Sequence, residues 1–118
     1  MVLKDFDILG KDGQLNIVVD GYQAVIRMIR SWYLCGYVEV PKQISDIDVD
    51  NIICHGGITS QNAGIASFPT DGYYIGFDCA HNGDWTLADP SGAYRDINYV
   101  KKEIKKIVRQ LEEIKNEH

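Results

Sequence analysis

Two short segments hold most of the side chains in this chain that could do chemistry: Cys54-His55-Gly56-Gly57-Ile58-Thr59 and Gly76-Phe77-Asp78-Cys79-Ala80-His81-Asn82-Gly83-Asp84. Between them they carry two of the three histidines, two of the three cysteines and four of the eleven glycines. Imidazoles and carboxylates can move protons or ligate a metal, and glycine lets backbone N–H groups come close to a ligand. One chemistry these types allow is a metal-dependent hydrolase using His55, Asp78 and His81, with Asp84 nearby, because Asp-x-x-His can face one ion together with a distant histidine. A nucleophilic thiol is a poorer fit. Cys54 adjoins His55, and neighbouring residues on a strand point to opposite faces, while Cys79 and His81 are a spacing without geometric confirmation.

The third chemistry is binding without turnover. Gly56-Gly57 and Asn82-Gly83 offer N–H groups to phosphate oxygens. Tyr37, Tyr74 and Trp85, with Tyr33, Tyr73 and Tyr94, offer flat faces to bases. Arg95, with Arg27, Arg30 and Lys42, offers positive charge, and His55, Thr59, Asp78, His81 and Asp84 offer polar contacts. Every one of these residues also has a scaffold role open to it: Asp78 and Asp84 can cap turns, the histidines can tie loops to a sheet, and Cys54 and Cys79 can be small buried fillers.

The elements that must position these residues follow from pattern. At 118 residues, 45% apolar and 25% charged, the chain fits one domain (1–118), burying roughly two-thirds of its unfolded surface. Phe6–Leu9 and Leu15–Val19, joined through Asp12-Gly13, read as an N-terminal hairpin within 1–21. Residues 22–95 read as sheet and loops carrying the site: Tyr22–Ile29 and Leu34–Val40 as strands, an exposed acidic link over Ser45–Asp50, Ile52–Cys54 as a strand delivering His55 at its end, a polar loop over Gln61–Asp71, and Tyr73–Asp78 as a strand bringing Asp78 and His81 to its far end. From Asp96, a candidate N-cap, the apolar positions Ile97, Val100, Ile104, Ile107, Leu111 and Ile114 step by three and four residues. This is an amphipathic helix of about five turns over 96–117, its stripe turned to the sheet. The expected fold is therefore α+β, a predominantly antiparallel sheet with one long C-terminal helix packed on it.

Charge narrows the partners. Residues 1–96 hold 6 Lys and Arg against 13 Asp and Glu, a net of −7, and residues 97–118 hold 6 against 4, a net of +2. An acidic body repels a long phosphate backbone, so long nucleic acid is not an expected ligand, whereas a small one held by local donors is. No run reaches the roughly 20 apolar residues that span a bilayer, and Met1–Asp5 lacks the basic start of a signal peptide, so a cytoplasmic protein without a membrane partner is expected. Cys35, Cys54 and Cys79 show no C-x-x-C spacing and read as reduced thiols. No motif calls for a cofactor. A homo-oligomer, as a dimer, would enlarge the concave surface beyond what one small domain offers.

The order Cys35-Gly36-Tyr37-Val38-Glu39-Val40-Pro41-Lys42, then His55-Gly56-Gly57-Ile58-Thr59, then Gly76-Phe77-Asp78-Cys79-Ala80-His81-Asn82-Gly83-Asp84, then Arg95 and Tyr99-Val100, resembles a family of small accessory proteins common in phages and prophages. The resemblance covers roughly residues 22–111. Members carry a longer Gly-, His- and Pro-containing stretch after the Val-Pro-Lys element, where this chain has the shorter, acidic Gln43–Asp50. The resemblance implies a small protein of the cytoplasm of an infected or lysogenic cell. By analogy with phage anti-defence proteins of this size, it implies sequestration of a cyclic-nucleotide or ADP-ribose-like signal, with inhibition of a host enzyme by protein binding as the alternative.

Overall fold

The computed structural model describes residues 2–10, 12–29 and 32–117. The chain runs α1 (Val2–Leu9), β1 (Gln14–Val19), β2 (Tyr22–Ile29), β3 (Tyr33–Glu39), two single-turn 3-10 helices (Lys42–Ile44 and Val49–Asn51), β4 (Ser60–Ala63), β5 (Tyr73–Asp78) and α2 (Ile97–Glu117). The five strands form one sheet in the order β1-β2-β3-β5-β4, and every pairing is antiparallel. With α2 against β2 and β3, the fold is the α+β arrangement expected from the sequence.

The N-terminal hairpin is not where the first Asp-Gly pair suggests. Phe6–Leu9 belongs to helix α1, not to a strand. Asp5 and Leu9, four residues apart on one helical face, are both buried, and the Tyr94 hydroxyl donates to Asp5 Oδ2 at 2.5 Å. The hairpin lies one element later. Its turn is Asp20-Gly21, with φ of 49° and 85° and Val19 paired to Tyr22. Two consecutive positive φ values are what a two-residue hairpin turn needs, and glycine adopts one freely.

The strand periodicity sorts side chains onto two faces. Ala24, Ile26, Leu34, Val38, Ile75 and Phe77 meet the α2 stripe of Ile97, Val100, Ile104, Ile107, Val108 and Leu111, all of them buried in the main core. Asp96 caps α2, its Oδ1 accepting from the Tyr99 N–H at 2.8 Å. The opposite face has a small second core of Val25, Phe68 and Tyr74, flanked by Tyr37 and Ile65. Phe68 and Ile65 come from the stretch between β4 and β5, so that part of the expected polar loop is packing. Its first residues, Gln61–Ala63, are edge strand β4.

Candidate functional site

His55 is not at a strand end. Ile52–Cys54 lies outside the sheet and His55 sits in a turn. The segment's backbone groups are satisfied by α2 instead of by a neighbouring strand. Gln110 Oε1 accepts from the Ile53 N–H at 2.8 Å, Gln110 Nε2 donates to the Ile53 carbonyl at 2.7 Å, and Glu103 Oε1 accepts from the His55 N–H at 2.7 Å. Glu103 and Gln110 are seven residues apart, two turns along one face, and so can serve alternate residues of an extended chain. Glu103 is buried and also receives Lys106 Nζ at 3.3 Å.

The hub of the site is Asp84, which is 2% exposed. Its Oδ2 accepts from His55 Nε2 at 2.6 Å and from the His81 N–H at 3.1 Å, and its Oδ1 accepts from Arg95 Nε at 2.9 Å. Burial on its own would raise this carboxyl, but the bonds from Arg95, His55 and the His81 backbone outweigh it and hold Asp84 below the usual carboxylate range. A carboxylate only accepts, so His55 Nε2 carries a proton. The other ring nitrogen, Nδ1, is 2.6 Å from the Tyr99 hydroxyl. Tyr99 also packs edge-on against His55, with centroids 5.3 Å apart, and lies beneath the Arg95 guanidinium at 4.9 Å.

His81 completes the group. Its ring centroid is 5.7 Å from that of His55. One donor atom each from His55, His81 and Asp84 falls within 4.8 Å of the others. Asp78 is near, with Oδ1 at 3.5 Å from His81 Nδ1, but that oxygen accepts from the Ala80 N–H at 3.1 Å and its partner oxygen accepts from Thr59 Oγ1 at 3.0 Å. The carboxylate shared by both histidines is thus that of Asp84, while Asp78 caps the turn after β5. Gly56, with φ of +69°, lies against His81 so closely that an added Cβ would fall 2.2 Å from its ring. Only glycine fits there.

Several sequence candidates lie elsewhere or are already committed. The Gly57 N–H closes its own turn onto the Cys54 carbonyl at 3.0 Å, and the Thr59 N–H goes to the Gly76 carbonyl at 2.8 Å, so neither N–H is open to a phosphate. Asn82 and Gly83 are exposed at the tip of the Asp84 turn. Tyr74 is 1% exposed, packed on Phe68 with its hydroxyl 2.9 Å from Thr70 Oγ1, so it has no ring face for a base. Tyr37 packs edge-on against Phe68 in the same second core. Trp85 is half-buried against Tyr94, with centroids 5.5 Å apart. Tyr73 donates to Gln61 at 2.9 Å and Arg27 lies over Phe68, while Lys42 lines a cleft of about 430 Å³ with Tyr22 and Glu112. Arg30 lies outside the described residues.

Sequence reasoning missed two members, Tyr99 and Glu103. Glu103 was hidden in the basic run Lys101–Lys106, although a carboxylate three residues after Val100 and four before Ile107 stands on the apolar face. The thiols are poor nucleophiles. Burial pushes Cys54 up to about 11, with Glu103 adding to the effect, and pushes Cys35 up to about 12 and Cys79 higher still. Compared with protein-family models, curated proteins and solved structures, the chain matches none.

Proposed function

We propose that this chain is a phage-type accessory protein that captures a small phosphorylated, nucleotide-derived signal, of the cyclic-nucleotide or ADP-ribose kind, and holds it without turnover. The observation that carries this reading is the setting of Arg95. Its Nε is fixed on buried Asp84 and its plane lies over Tyr99, yet its side chain is 31% exposed. Its two outer nitrogens make no hydrogen bond to a described residue. A guanidinium held at one edge and open at the other is pre-organised for a phosphate oxygen pair. The His81 ring, near the same carboxylate, is a further candidate donor, and Trp85, next in sequence to Asp84, is the aromatic candidate for stacking a base. Capture without turnover fits thiols that stay protonated at neutral pH, and a Tyr99 hydroxyl that burial and Glu103 push upward against the opposing effect of Arg95.

Melting curves with a panel of cyclic dinucleotides and ADP-ribose compounds test this. A ligand at 100 times its Kd adds about 2.7 kcal/mol and raises Tm, and it is recovered unchanged after denaturation. Arg95→Ala, compared with its own unliganded melt, is expected to lose the rise. A panel that moves nothing, a variant that responds like the parent, or conversion of the nucleotide contradicts the proposal.

A further inference from the structure

We infer that His55 Nε2, His81 Nδ1 and Asp84 Oδ2 form a three-ligand site for a divalent transition ion of the zinc class. The inference stands apart from the nucleotide reading, since an ion of this kind binds with or without an organic ligand. Its first support is the spacing. The Asp84 oxygen is 2.6 Å from His55 Nε2 and 3.8 Å from His81 Nδ1, and the three residues can each offer one ligand atom within 4.8 Å of the others. Bonds of about 2.0–2.2 Å in a tetrahedral arrangement place ligand atoms roughly 3.3 Å apart. The two separations to the carboxylate oxygen lie on either side of that value.

The second support is an atom with nothing to do. His81 Nδ1 is buried without a hydrogen-bond partner among the described residues, between the carboxylates of Asp78 at 3.5 Å and Asp84 at 3.8 Å. A buried nitrogen left without a partner is destabilising. An ion between the nitrogen and Asp84 satisfies it and places a positive charge where two negative groups converge. The ring is already held for this by the Gly56 backbone, which leaves no room for a Cβ.

The third support is the outer contacts. A ligating histidine commonly has its second nitrogen held, and a ligating carboxylate its second oxygen. Here Tyr99 holds His55 Nδ1 at 2.6 Å and Arg95 holds Asp84 Oδ1 at 2.9 Å, so that Nε2 and Oδ2 are the atoms left facing each other. Ligation through Nε2 requires the Nδ1–H tautomer: the Nε2 proton passes to water, Nδ1 takes one from water, and the ring then donates to the Tyr99 oxygen. Two imidazoles and one carboxylate select zinc, cobalt or nickel over calcium or magnesium, which prefer oxygen donors. Three protein ligands leave a coordination position open.

The test uses the full, untagged chain stripped with a chelator and titrated with Co²⁺ alone. The expected result is visible d–d absorption that saturates at one equivalent and is abolished by Zn²⁺. His81→Ala is expected to weaken binding by at least ~10-fold while its circular-dichroism melt remains cooperative. Should that variant fail to fold, His81→Gln, which keeps the bulk against Gly56, gives the same reading. Absence of saturable binding at micromolar Co²⁺, or binding in the folded His81 variant equal to that of the parent, overturns the inference. The melting response of metal-stripped protein to nucleotide reports on the nucleotide proposal separately.

Discussion

At the scale of residues, the site turns on one carboxylate with three protein donors. Replacing it by Asn keeps the shape, but it weakens the charge-assisted bonds from His55 and Arg95, at a cost of about 2–3 kcal/mol in urea unfolding near neutral pH. The acid side gives a second signature. The carboxyl of Asp84 is held below its ordinary value of 3.8, so its stabilisation is fully present above that value and is lost as pH falls through the lower folded value. Unfolding curves for the parent and Asp84→Asn are therefore expected to converge in acid, and a gap that stays constant down to about pH 2 would argue against the assignment. His55, His81 and Asp84 were legible because glycine-flanked histidines and carboxylates crowded into two short segments. Tyr99 and Glu103 were not, because a helix pattern absorbs them: one reads as a first-turn aromatic, the other as one more charge in a basic run.

At the scale of elements, α2 does two jobs that the sequence separates only in part. Its apolar stripe covers the sheet, and that was readable from the steps of three and four between Ile97 and Leu111. Two of its polar side chains, Gln110 and the buried Glu103, also take the place of a neighbouring strand for Ile53–His55. An apolar run such as Ile52-Ile53-Cys54 cannot reveal whether a strand or a helix side chain completes its hydrogen bonds, so its reading as a strand failed. The same ambiguity explains Phe6–Leu9, where four residues are too few to separate a period of 2 from one of 3.6. Gln110→Ala is expected to cost about 1 kcal/mol. It should also speed hydrogen exchange at the Ile53 amide while leaving amides of β2 and β3 unchanged. Unchanged exchange at Ile53 would show that the pairing with α2 does not hold the site segment.

At the scale of the whole molecule, no helix among the described residues is long and apolar enough to cross a membrane. The α2 stripe is spent on the sheet, so self-association has to use something else. The open edges are β1 and β4, and β1 is the longer and more apolar, with Val18 62% exposed. A dimer is expected to pair through β1. Val18→Lys should then lower the sedimentation coefficient at micromolar concentration without lowering Tm, and a parent chain that already sediments as a monomer contradicts the pairing. Capture of a phosphorylated signal at Arg95 is the central claim, and native mass spectrometry of protein purified from cells with active nucleotide signalling tests it most directly. The expected spectrum shows an added mass matching a phosphorylated nucleotide derivative, released intact on denaturation and missing from Arg95→Ala. Protein that arrives at its bare mass from such cells, or an Arg95→Ala variant carrying the same adduct, would contradict it.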